Sequence, residues 1–225
     1  MAVARARYLL ERGRVFNSSG SRDKARPFFL EALAAAQEAG APADYHAVDA
    51  AHMLGIIEPP DAALEWNLKA VEMAGQSENS HARTWLGSLY NNIGWAFHNQ
   101  GKYEQALDAF HKSYDGWSAN STAKAKAKNA RIARWCIART LRSLGRLDEA
   151  LQRQLEIVAE AEAEGDESGY GNEEIAECLL ALGQPEAARP YAQKAFVILS
   201  RDPWLPTDER ERLERLQKLG TRASQ

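Results

Sequence analysis

The chain has 225 residues, 45% of them apolar and 26% charged, with a formal net charge of −3. At roughly 100–200 residues per domain this is one large domain or two small ones, and the near-neutral balance excludes wholesale attraction to nucleic acid or an anionic membrane. Two cysteines exclude a disulfide scaffold and suit a reducing compartment, while 40 alanines against 15 glycines and 8 prolines predict a nearly all-helical protein.

The opening Met-Ala-Val-Ala-Arg-Ala-Arg carries charges where a signal peptide needs an apolar core. No stretch reaches the roughly 18 consecutive apolar residues of a spanning helix, so the expectation is a cytoplasmic protein with no membrane segment. The first predicted helix closes on Gly20-Ser-Arg-Asp-Lys-Ala-Arg26, and the same punctuation returns four times. It recurs as Glu58-Pro-Pro-Asp-Ala-Ala-Leu64, Gly101-Lys-Tyr-Glu-Gln-Ala-Leu107, Gly145-Arg-Leu-Asp-Glu-Ala-Leu151 and Gly183-Gln-Pro-Glu-Ala-Ala-Arg189. Gly or Pro breaks the preceding helix, and the acid at the fourth place favours the positive end of the next one.

Seven places before each turn stands a small residue: Gly13, Ala51, Gly94, Ala138 and Ala176. Four places before it stands a larger apolar one: Phe16, Leu54, Phe97, Leu141 and Leu179. Phe29 and Phe110 follow the alanine of the first and third segments by four. Small residues admit a second helix closely and the bulky ones fill its groove, so each unit reads as an antiparallel pair, helix A then helix B. A lone pair cannot bury its apolar face, so such units stack. The units run at about 5–40, 43–75, 80–117, 121–165 and 169–202. Pro203 and Pro206 end the fifth helix B, and Thr207-Asp-Glu opens a capping helix over 207–219, before Gly220.

This pattern resembles the tetratricopeptide repeat over about residues 5–200. The third unit is nearly a consensus copy through Tyr90, Ile93, Gly94, Phe97, Gly101, Tyr103, Ala106 and Phe110. The turns are spaced 38, 43, 44 and 38 residues apart, longer than the family's usual period. The excess amounts to one or two helical turns or a loop, with Ser118-Ala-Asn-Ser-Thr122 as the candidate loop. The long units look like those of kinesin light chains and of bacterial regulatory proteins. The resemblance implies an all-α, right-handed superhelical solenoid of about five helix pairs plus the capping helix, 1–225 forming a single domain.

Signs of catalysis are absent. There is no phosphate loop, no Gly-x-Ser-x-Gly and no Cys-x-x-Cys. Ser21-Arg-Asp-Lys24 and Ser121-Thr-Ala-Lys124 read as helix starts, with Ser21 an N-cap. His46 and His52 are six apart and face different ways on a helix, so no metal site is expected. Asn17-Ser-Ser19 and Asn120-Ser-Thr122 match the glycosylation pattern by chance, and Cys136 and Cys178 read as buried, inert thiols. No cofactor and no enzyme activity are expected.

What remains is a surface. The resemblance implies that A helices line a concave groove in which a peptide lies. Its groove positions fall on Arg14 and Asn17, on Tyr45 and His52, and on Asn91, Trp95, His98 and Asn99. They continue on Trp135, Arg139 and Arg142, and on Tyr170, Glu173 and Glu177. Amides would bond peptide backbone and Trp would supply area. The peptide-binding set is therefore Asn17, His52, Asn91, Trp95, His98, Asn99, Trp135, Arg139, Arg142 and Glu177. Residues 121–146 hold eight basic side chains and no acid, and 147–177 hold eleven acids against Arg153. Part of this charge pairs weakly between neighbouring helices, while Arg139 and Arg142 suit a carboxylate from an acidic partner segment. The family's clamp for chaperone tails needs basic and Asn residues where this chain has Leu10, Arg14, Asp49, Ser88 and Asn92, so that pattern is absent. The expected role is a scaffold or adaptor gripping a partner protein. A sensor module for a small molecule or signalling peptide, within a larger regulator, is the alternative, and self-association through an uncapped first repeat stays open.

Overall fold

A computed structural model describes residues 1–120, 123–202 and 209–221, with the side chains of 120 and 123–127 left aside. The described residues are helical with short connections and form two compact units, residues 1–133 and 134–225.

Unit 1 opens with α1 (Ala2–Ser18) and α2 (Arg22–Ala39), followed by α3 (Asp44–Ile57) and α4 (Pro60–Gln76). A single turn, α5 (Ser80–Arg83), precedes α6 (Leu86–Asn99) and α7 (Tyr103–Asn120). Each pair packs on itself, and α2 meets α3 as α4 meets α6. The expected small-to-large contacts are there. Phe29 and Phe110 are fully buried, and their rings lie over Gly13 and Gly94. A Cβ on Gly94 would stand 2.5 Å from Phe110 Cε1, so only glycine permits the approach. Burying a side chain of this size contributes about 1.5–3 kcal/mol.

The turns share one mechanism. Gly20 and Gly101 adopt φ of +78° and +72°, open to glycine at little cost. The amide after each donates back five residues, Ser21 to Phe16 O at 2.9 Å and Lys102 to Phe97 O at 3.0 Å. This is the Schellman closure of a helix end. Unit 2 repeats it, from Arg146 to Leu141 O at 3.0 Å and from Gln184 to Leu179 O at 2.8 Å. The second repeat lacks the glycine: Glu58 is extended, and Pro60 begins α4 where its missing N–H costs nothing. Ser21 holds the N-cap position of α2 but makes no side-chain cap bond, and its backbone carbonyl takes the Lys24 amide at 3.1 Å.

Unit 2 begins within α8 (Ala123–Ser143) and continues with α9 (Leu147–Ala163), α10 (Gly169–Ala181), α11 (Pro185–Leu199) and α12 (Arg210–Thr221). Its core gathers Val158, Ile175, Leu179, Leu199 and Leu216. Two expectations shift. Helix α7 continues through Asn120, so Ser118, Ala119 and Asn120 are not loop, and Ser121 and Thr122 lie outside the described residues. The long spacings are spent on helix instead: α5, capped by Asn79 Oδ1 accepting from the His81 amide at 2.9 Å, and the 18 and 21 residues of α7 and α8. Gly220 does not stop α12. It lets the helix lie against α11, where a Cβ would come 2.7 Å from Gln193 Oε1. Pro203, Pro206, Thr207 and Asp208 lie outside the described residues.

Candidate functional site

In unit 1 the A-helix side of the third repeat faces an open cleft of about 1060 Å³. The residues of α6 that line it are Asn92, Trp95, Ala96 and Asn99, spaced as one helical face. Opposite stand Gly55–Glu58 at the end of α3, Pro59 just before α4, Pro60, Asp61, Ala63, Leu64 and Asn67 in its first half, and Arg22, Asp23 and Arg26 at the start of α2. Asn67 occupies the place that Phe29 and Phe110 hold in their own repeats. It is buried at 4% exposure, with Nδ2 donating to Ala63 O at 2.8 Å and Oδ1 accepting from Asn92 Nδ2 at 3.3 Å. A buried amide costs free energy unless it is bonded, and these two bonds meet that need. Trp95 packs edge-on against Phe110, centroids 5.4 Å apart, and against His98 at 5.3 Å, while it lines the cleft. Arg26 Nε bonds Glu58 Oε1 at 2.5 Å across the rim.

Of the expected groove residues, Trp95 and Asn99 line this cleft, and Asn91 and His98 do not. The lining face is turned by one position, so that Asn92 stands where Asn91 was expected. His98 instead packs against Tyr103, the rings tilted and their centroids 5.1 Å apart. Asn17 is half-buried near the end of α1. His52 packs on Trp85 at 4.8 Å, and its Nδ1 is buried without a hydrogen-bond partner among the described residues. Burial, with the field of Arg14 added, pushes the His52 imidazole down to about 4. Arg14 itself grips both oxygens of buried Asp49 at 2.6 Å. Burial nevertheless leaves the Asp49 carboxyl above its ordinary range, the Arg14 bond compensating only in part.

Of the remaining expected residues, Arg139, Arg142 and Glu177 meet in unit 2, in a recess of about 360 Å³ lined only by charged side chains, and Trp135 is not part of its lining. Arg139 bonds Glu174, and Arg142 reaches the same carboxylate through Nε at 2.8 Å and Nη2 at 3.2 Å. Glu173 is held by Arg212, with Nε at 2.7 Å, and Glu177 by Arg215. Burial works against charge on Arg142, but the bond and field of Glu174 outweigh it and raise its pKa. Trp135 lies under the Arg139 guanidinium at 5.8 Å and donates Nε1 to Tyr170 O at 3.3 Å. The carboxylate expected from an acidic partner is thus supplied by the chain itself, as Glu174. Pairing between α8 and α9 also occurs, in the two bonds of Arg134 to Glu160 at 2.6 and 2.9 Å.

Asn67, Asp49, Glu174, Arg212 and Arg215 are not among the expected groove residues. A signal for two of them lies in the sequence. Arg14 and Asp49 are 35 residues apart, as are Arg139 and Glu174, and each arginine stands six places before its turn glycine. The same A-helix-to-A-helix pair is therefore used twice. Among the described residues no three His, Cys, Asp or Glu side chains come together as metal ligands, and no helix is long and apolar enough to cross a membrane. Both cysteines are free and buried, and burial, helped by Glu174, pushes the Cys178 thiol up to about 11.

A family model described as tetratricopeptide repeat matches residues 86–117, the α6–α7 pair. No protein of curated annotation matches the sequence. Among solved structures, BtubC (BKLC) from P. vanneervenii superposes with a TM-score of 0.71 at 16% identity, covering 92% of this chain and 90% of that one. A variant of the nearly identical repeats of a Podosopora anserina kinesin light chain gives 0.66 at 15%, covering 89% and 97%. YrrB, described as a tetratricopeptide protein with an unusual peptide-binding site, gives 0.56 at 17%, covering 93% and 90%. At these identities the likeness is one of fold. The α6–α7 pair thus matches the tetratricopeptide-repeat model, and the chain shares the all-α helical-repeat fold of these structures.

Proposed function

We propose that the protein is a non-catalytic scaffold or adaptor that holds an extended segment of a partner protein on its A-helix side, with the cleft of unit 1 as the principal seat. The observation that carries this reading is the cleft itself, where Trp95 offers apolar area between Asn92 and Asn99 on one face of α6. Side-chain amides donate and accept at once, which suits the alternating groups of a peptide backbone. The likeness in fold to YrrB, described as having a peptide-binding site, supports the same reading. Arg139, Arg142 and Glu177 take a different part in it. Already engaged with Glu174 and Arg215, they hold helices together and leave recognition to unit 1.

Selection from a random peptide display library on the full chain tests this. Binders should lose about tenfold or more in affinity, or about 1.4 kcal/mol, against a Trp95→Ala/Asn99→Ala variant whose helicity by circular dichroism is unchanged. Equal binding to both proteins would contradict the assignment.

A further inference from the structure

We infer that the segment held in the unit 1 cleft is an uncharged, proline-rich stretch in the polyproline II conformation. The inference rests on the peptide-binding reading above and names the ligand class. Three observations carry it. The first is spacing: Asn92 and Asn99 lie on one face of α6, seven residues and so about 10.5 Å apart along the helix axis. A polyproline II chain advances about 3.1 Å per residue with three residues per turn, so equivalent carbonyls recur on one side every 9.3 Å or so. A β-strand covers a similar distance in three residues, but its third residue faces the opposite way. Two amides at this spacing, Asn92 through the second N–H that its bond to Asn67 does not use, therefore meet like-facing carbonyls only on the polyproline II chain.

The second observation is donor chemistry. A proline-rich chain has carbonyl acceptors and few N–H donors, so its site must supply donors. Asn99 and Gln100 are exposed on the lining, and among the described residues no hydrogen bond engages their side-chain amides. Trp95 stands between the two asparagines, a flat surface for a pyrrolidine ring. The third is charge. The lining has Arg22 and Arg26 against Asp23, Glu58 and Asp61, and Arg26 is already bonded to Glu58. One negative charge is left over, which disfavours an acidic ligand and is too small to select a basic one. A chain already extended in solution loses little entropy on binding, which favours this ligand in a shallow, open site.

The test is fluorescence anisotropy of the full chain with labelled ten-residue peptides of proline, of alternating glycine and serine, and of alternating glutamate and serine. The proline peptide should bind at least tenfold more tightly than the glycine–serine one and change affinity less than threefold between low and high salt. Asn99→Ala, at an exposed position, should weaken it severalfold, and Trp95→Ala at least tenfold. No binding of the proline peptide, or binding indifferent to both variants, overturns the inference. If the acidic peptide binds instead and depends on Trp95, the ligand class is wrong while the peptide-binding reading stands. If none of the three binds, both fall.

Discussion

Gly94 and Gly75 are both helical glycines, yet an added methyl should act on them in opposite directions. At Gly94 the methyl would meet the Phe110 ring at 2.5 Å, a buried side chain with nowhere to go. Overpacking of this kind costs about 1–3 kcal/mol, more than the gain of up to about 1 kcal/mol in helix propensity. Gly75, in α4, has nothing within 4 Å of its would-be Cβ, so the propensity gain stands alone. Urea denaturation should show Gly94→Ala destabilised and Gly75→Ala stabilised by about 0.5–1 kcal/mol. His52 gives a second residue-scale prediction. Its folded pKa, about 4, is below the ordinary 6.5 because burial disfavours the charged ring. The unfolded chain therefore binds its proton first as pH falls, and stability present above pH 6.5 is lost progressively toward pH 4. Thermal melts of His52→Gln should show a shallower acid loss across that window than wild type, and parallel curves would contradict the assignment. The Gly–Phe pairs were legible in the sequence because both partners recur at fixed distance from the turn. The environment of His52 was not, since Trp85 lies outside any repeated position.

Between elements, the charged side chains of unit 2 join α8, α10 and α12 through one acidic helix. Glu174 is central, its side chain 2% exposed between Arg139 and Arg142, while Arg215 on α12 is 52% exposed. Removing a buried partner strands the opposite charges, whereas trimming an exposed one loses an interaction that water had already weakened. Glu174→Ala should therefore destabilise the protein by about 3–5 kcal/mol, and Arg215→Ala by no more than about 1 kcal/mol, both read by urea denaturation. Similar small losses would mean that the Glu174 pairs contribute little. The basic stretch of 121–146 and the acidic stretch of 147–177 were visible as composition, but composition does not say which helix meets which. Neighbours in sequence, α8 and α9, pair through Arg134 and Glu160, while the buried pairs link helices 32–35 residues apart. That separation follows from the repeat length, and it could be read only by comparing the first repeat with the fourth.

For the molecule as a whole, five turn signals and the small-to-large pattern sufficed for the helical-repeat fold, because each repeat must solve the same packing problem. The candidate site was legible only in part. Trp95 and Asn99 were apparent as a polar and aromatic face on an otherwise apolar helix. Asn67 was hidden because it sits at a core position, where an amide is an exception to the pattern. The central claim is that this cleft seats a partner segment. Hydrogen-exchange mass spectrometry of the full chain, with and without a peptide selected for binding to it, tests that most directly. The account predicts added protection confined to residues 22–26, 55–67 and 92–100, with α10 and α12 unchanged. Protection concentrated on α8, α10 and α12, with none on α6, would contradict it.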